Sequence, residues 1–132
     1  MPITTANGID LYYEIHGEGE PLLLIMGLSL SSKSWFRTIP ALSKQYKVIV
    51  FDNRGVGLSG KPNSPYSIEL MADDAKAVLD AAGVESAHIY GISMGGMIAQ
   101  RLALKYPERI RSLILGCTTS GGEKHVQPNA EV

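Results

Sequence analysis

Gly91-Ile92-Ser93-Met94-Gly95 has the form G-x-S-x-G, and it is the place in this chain where residue type and spacing point to covalent chemistry. The apolar triplet His88-Ile89-Tyr90 precedes it, and a helical pattern running from about Met94 to Lys105 follows. A strand that turns at once into a helix lifts the serine Oγ above the end of the sheet. Glycines on both flanks let that strand and helix approach without Cβ clashes. The serine also sits at a helix N-terminus, where free N–H groups and the macrodipole favour developing negative charge. The competing reading is a glycine-rich turn whose serine only caps the helix, and the strand–turn–helix context favours the nucleophile. A phosphate loop fits poorly, because no Lys-Ser or Lys-Thr pair follows the glycines.

The elements around this motif are those of a layered α/β domain. Ile9 to Ile15 mixes alternation with aromatic and β-branched residues and reads as an antiparallel edge strand. Asn7-Gly8 before it is a hairpin turn signal, which makes Pro2 to Ala6 the partner strand. Leu22 to Met26, Val48 to Phe51 and Leu113 to Leu115 are continuous apolar runs, the pattern of strands covered on both faces. Trp35, Ile39, Leu42 and Tyr46 recur at helical spacing despite Pro40. Ser67 reads as the N-cap of a helix burying Ile68, Met71, Ala75, Val78 and Leu79, with Gly83 as its left-handed C-terminal cap. The third helix stops before Pro107. Strands alternating with helices of this length predict a mostly parallel sheet with helices on both faces.

The bulk properties narrow the function classes. The chain has 132 residues, enough for one domain with a real core, and 45% hydrophobic against 19% charged residues is an ordinary globular balance. A net charge of −1, with basic residues scattered singly, suggests neither a nucleic-acid partner nor a membrane surface. The lone Cys117 excludes an internal disulfide and a cysteine-based zinc cluster, and reads as a small buried hydrophobe. No stretch reads as a signal peptide, and Leu22 to Leu28 is too short to span a bilayer, so a cytoplasmic location is expected.

With these elements in place, the chain resembles the α/β-hydrolase superfamily, and in particular its esterase and enol-lactonase members. Asp52-Asn53-Arg54-Gly55-Val56-Gly57-Leu58-Ser59 is similar to that family's turn after the fourth strand. Leu24 to Leu28, followed by Ser34-Trp35, is similar to its oxyanion loop, and Tyr106 to Ile110 to the turn after its nucleophile helix. The resemblance spans Ile9 to Gly116. It implies a hydrolase domain over residues 1–116, truncated at about six of eight strands and without a cap domain, while residues 117–132, polar and without periodicity, read as a flexible tail. It also implies two backbone donors for an oxyanion, the N–H groups of Met94 and Leu28. The implied substrate is a small acyl compound such as a carboxylic ester, attacked by Ser93. No metal or organic cofactor is implied.

A serine needs an adjacent base, and the family places its acid and histidine after the strands seen here. His16 lies before a turn, and His88 enters the nucleophile strand at the end away from the elbow. Only His125 follows the serine, beside Glu123, and the two form a candidate base and acid in the tail. Asp52, Arg54 and Ser59 are expected to fix their loop by hydrogen bonds and local pairing, and Trp35 to be core. A bare sixth strand predicts a homodimer or higher assembly through the exposed sheet edge. The rival function is a catalytically silent hydrolase-fold fragment acting as a binding or assembly module. Carbon–carbon bond hydrolysis and cofactor-free perhydrolysis are further chemistries of the same family.

Overall fold

The computed structural model describes residues 2–121. Six strands run β1 (Ile3–Ala6), β2 (Ile9–His16), β3 (Glu20–Ile25), β4 (Tyr46–Phe51), β5 (Ala87–Ile92) and β6 (Ile110–Gly116). The helices are α1 (Thr38–Leu42), α2 (Ile68–Ala81) and α3 (Met94–Lys105). The strands form one sheet in the order β1-β2-β4-β3-β5-β6. β4, β3, β5 and β6 are mutually parallel, while β1 and β2 are antiparallel additions.

Local chemistry accounts for most of these elements. Asn7 and Gly8 both have positive φ, 51° and 79°, as a two-residue hairpin of the I′ kind requires. The Ser67 side chain accepts the Leu70 N–H and caps α2, and Gly83 closes its far end at φ 71°. The central apolar strands are covered on both faces. Leu23, Ile25, Ile49, Phe51 and Ile89 face α2 and α3 on one side of the sheet. Leu22, Leu24, Val48 and Val50 face Trp35 and α1 on the other.

Three expectations are corrected. β2 is an interior strand, paired with β1 on one side and β4 on the other, so β1 is the edge. The Trp35–Tyr46 stretch is not one helix but a 3-10 turn (Ser32–Trp35), the short α1, and the first residue of β4. Pro40 explains the break: it has no N–H to bond the Phe36 carbonyl, so a helix cannot run through from Trp35. Cys117 is exposed rather than buried, just past the end of β6. At that sheet edge Leu113, Ile114 and Leu115 remain 38%, 51% and 42% exposed.

Two carboxylates tie α2 to its neighbours. Asp73 accepts from Lys105 Nζ and Tyr106 Oη, each at 2.7 Å. Asp80 pairs with Lys76 at 3.0 Å and Arg109 at 2.7 Å. Desolvation raises both carboxyl pKa values, but these donors outweigh it and hold them below the ordinary range. A depressed folded-state pKa adds stability that is present above the unfolded value and lost as pH falls through the folded one. Stability measured by urea unfolding should therefore fall as pH drops below about 4. In Asp73→Asn the fall should be shallower; an unchanged slope would remove Asp73 from this account.

Candidate active site

Ser93 stands between the end of β5 and the start of α3, exposed, with φ 55° and ψ −122°. These dihedrals match the first central residue of a II′ turn, a position dominated by glycine. Holding a residue with a Cβ there costs on the order of 1–3 kcal/mol, so the surroundings must over-determine it. Several contacts do so. The Ser93 N–H donates to the Gly116 carbonyl at 2.9 Å, and the Ser93 carbonyl accepts from Gly96 N–H at 2.9 Å and Thr118 Oγ1 at 2.7 Å. The side chain makes no capping hydrogen bond to α3. Its hydroxyl is therefore not spent on the helix, which removes the reading of this serine as a helix cap.

The elbow glycines are required by space. A Cβ on Gly91 would overlap the Gly95 carbonyl, and one on Gly95 would overlap the Ile25 carbonyl and lie 2.8 Å from Met26 O. Gly95→Ala must push α3 off the end of β3. We expect it to lower stability by about 1–3 kcal/mol, as overpacking does, and to slow covalent labelling of Ser93 at least tenfold. Thermal unfolding and labelling rates check both.

The loop after β3 passes directly against the serine, with the Cβ direction of Gly27 3.3 Å from Ser93 Cβ and 3.7 Å from its Oγ. Leu28 at its tip is 71% exposed, and Ser29 has φ 63°. Among the described residues, neither the Leu28 N–H nor the Met94 N–H meets an acceptor. Met94 opens α3, so its free N–H is one of the helix's unsatisfied donors. The loop that carries the Leu28 N–H and the helix turn that carries the Met94 N–H thus both adjoin Ser93.

The loop after β4 anchors this arrangement. Asp52 is buried and accepts the Ser32 N–H at 2.7 Å and the Leu58 N–H at 2.9 Å, bridging the two loops. Ser59 Oγ donates to the Asp52 carbonyl at 2.5 Å and accepts the Tyr12 N–H at 3.0 Å. Arg54 gives Nε and Nη2 to Asp74 of α2 at 2.6 and 2.9 Å, with both side chains buried. All three residues fix the loop, as the sequence suggested. Two contributors were not anticipated. Asn53 Nδ2 donates to Met26 O at 3.1 Å and so holds the start of the Gly27–Leu28 segment. Thr118 fastens the elbow from the chain after β6. Trp35 is buried as expected, against Tyr90 at 5.8 Å between ring centroids.

His16 and His88 lie away from Ser93. His16 pairs with Glu14 at 3.1 Å at the end of β2. His88 reaches Ser112 Oγ at 2.6 Å and Glu20 at 3.4 Å, at the opposite end of β5 from Ser93. The candidate pair Glu123 and His125 lies outside the described residues. Among the described residues, no group of acidic, histidine or cysteine side chains is arranged to hold a metal ion. No helix among them is long and apolar enough to cross a membrane.

This geometry can be set beside known proteins. Residues 20–131 match the family described as alpha/beta hydrolase fold. The chain belongs to that family. It is 48% identical over 115 residues to the protein named carbamate hydrolase RutD from Azorhizobium caulinodans, covering 87% of this chain and 43% of the relative. It is 36% identical over 118 residues to 3-oxoadipate enol-lactonase 2 of Acinetobacter baylyi, covering 88% of this chain and 44% of the relative. A hydrolase from Pseudomonas aeruginosa superposes with a TM-score of 0.88 at 32% identity, over 93% of this chain and 48% of that one. The chain therefore spans about half the length of the curated relatives it matches.

Proposed function

We propose that this chain carries the nucleophile and oxyanion half of a serine hydrolase acting on carboxylic esters or related acyl compounds. The observation that carries the reading is the uncapped, strained Ser93 at the start of α3 with the Gly27–Leu28 loop packed against it, both segments carrying backbone N–H groups that meet no backbone acceptor among the described residues. In the first step Ser93 Oγ attacks the substrate carbonyl and loses its proton to a general base. The oxygen of the tetrahedral intermediate accepts hydrogen bonds from the Met94 and Leu28 N–H groups. Removing one such donor typically costs about 3 kcal/mol of transition-state stabilisation. The bond to the leaving alcohol then breaks, the base returns its proton to that oxygen, and an acyl-Ser93 remains. Water attacks it by the reverse sequence and releases the acid.

Names among the relatives support a carbonyl substrate, since one is called a carbamate hydrolase and another an enol-lactonase. His16 and His88 are both engaged away from Ser93, so neither serves as the base. The base comes from outside the described residues, with His125 supported by Glu123 as the candidate within this chain.

The test is to incubate the chain with a fluorophosphonate probe and a short-chain nitrophenyl ester, then map the adduct by mass spectrometry. A single adduct on the peptide containing Ser93, with ester turnover, is the expected result. An ordered chain that neither labels nor turns over would replace this reading with the silent binding module. Turnover unchanged in His125→Ala would remove the tail histidine as base.

A further inference from the structure

Beside the two free N–H groups lies a cavity of about 460 Å³ between the Gly27–Leu28 loop, the loop after β4 and the first turns of α2. Its walls include Leu28, Val56, Tyr66, Ile68, Met71 and Met94, so both residues that would hold the carbonyl oxygen also border the cavity. The charged group on its lining is Arg54. Arg54 is buried, and its Nε and Nη2 are both given to Asp74 at hydrogen-bonding distance. Asp74, fully buried, neutralises it. The cavity therefore offers apolar surface next to the reacting carbonyl and no uncompensated charge.

We propose that this cavity is the subsite for the hydrocarbon chain of a neutral ester, and that it selects against a chain ending in a carboxylate. The proposal rests on Ser93 being the nucleophile, because that places the carbonyl at the cavity's mouth. Two physical arguments support the selectivity. Each methylene moved from water to an apolar wall tightens binding by about fourfold. A carboxylate placed there loses its hydration and meets a cation already paired, so it gains no compensating partner.

The experiment reads binding without turnover, on full-length Ser93→Ala labelled with ¹³C at the methionine methyls. Methyl hexanoate is titrated in. The Met71 and Met94 methyl signals should move together while those of Met26 and Met97 stay in place. Methyl hexanoate should bind at least tenfold tighter than methyl butanoate, and at least tenfold tighter than monomethyl adipate. Val56→Phe should fill the cavity and suppress the shifts, and Ile68→Trp serves the same purpose if the first variant does not fold. Unmoved Met71 and Met94 signals, or equal binding of the adipate ester, would overturn the subsite. Because Ser93 is absent from the protein used, that failure leaves the labelling result for the nucleophile untouched, and a failure to label leaves this binding result untouched.

Discussion

Replacing Ser93 by glycine is expected to give a protein more stable than the parent and chemically silent. Ser93 occupies φ 55° and ψ −122°, where a Cβ is strained and glycine is at ease. Relief of that strain is worth on the order of 1–3 kcal/mol, and the extra freedom of glycine in the unfolded chain takes back about 0.4–1 kcal/mol. The net expectation is a gain of about 1 kcal/mol in urea unfolding. Ser93→Ala keeps the Cβ and the strain, so its stability should stay near that of the parent. Both variants lose Oγ and should show only background labelling. In a complete serine triad the loss of the nucleophile costs roughly a millionfold in kcat. A glycine variant no more stable than the alanine variant would mean that the turn carries no strain. Persistent labelling of the alanine variant would remove Ser93 as nucleophile.

The combination matters because a residue chosen only for folding would not be a serine at this position. The strain is held by Gly116, Gly96 and Thr118 around the Ser93 backbone. Strain maintained by surrounding contacts, on a hydroxyl that caps nothing, supports the proposed role of Ser93 as nucleophile.

What was legible in the sequence follows the range of the interactions involved. The Asn7-Gly8 hairpin, the Ser67 cap and the Gly83 stop are set by residues within one turn of each other, and all three are present. The apolar runs announced buried strands because two-sided burial leaves no polar alternation to confuse. The G-x-S-x-G motif was recognisable from its strand–turn–helix context, and the approach its Gly91 answers is also local, to the Gly95 carbonyl. The misread segments depended on distant context. β2 became an interior strand only through its pairing with β4. Residue type alone points to a buried Cys117, whereas no layer of the described residues covers the chain just past β6.

The site's supports were harder to read, because they join residues far apart in sequence. Asn53 meets Met26 across 27 positions, and Thr118 meets Ser93 across 25. Neither pairing has a local signal, since an asparagine after a strand or a threonine after another is ordinary turn chemistry. Asp52 was more visible because it is a charged residue ending the apolar run Val48 to Phe51. A Cβ at Gly57 would collide with the Asp52 carboxylate, so the loop must fold back over that side chain.

The second large effect is expected at the ion pair beneath the cavity. Arg54 and Asp74 are 2% and 0% exposed at the side chain, and Asp74 also accepts from Asn7 Nδ2 at 2.9 Å. The pair thus joins the loop after β4, the middle of α2 and the tip of the β1–β2 hairpin. Removing one partner leaves an uncompensated charge inside the protein, which typically costs about 3–5 kcal/mol. Against a total stability of about 5–15 kcal/mol, Asp74→Leu should be close to unfolding. Arg54→Met should cost less than Asp74→Leu, because the stranded carboxylate keeps its Asn7 donor, whereas the stranded guanidinium keeps no side-chain acceptor among the described residues. The double variant Arg54→Met/Asp74→Leu replaces both charges by apolar groups and should recover most of the loss, to within about 1–2 kcal/mol of the parent. Urea unfolding of the four proteins forms a complete cycle. Additive losses would show that the two residues act independently and that the pair is not the joint between loop, helix and hairpin. Recovery of stability with methyl hexanoate binding retained would show that the cavity needs the apolar walls and not the charge. Recovery of stability with binding lost would show instead that Arg54 shapes the cavity floor.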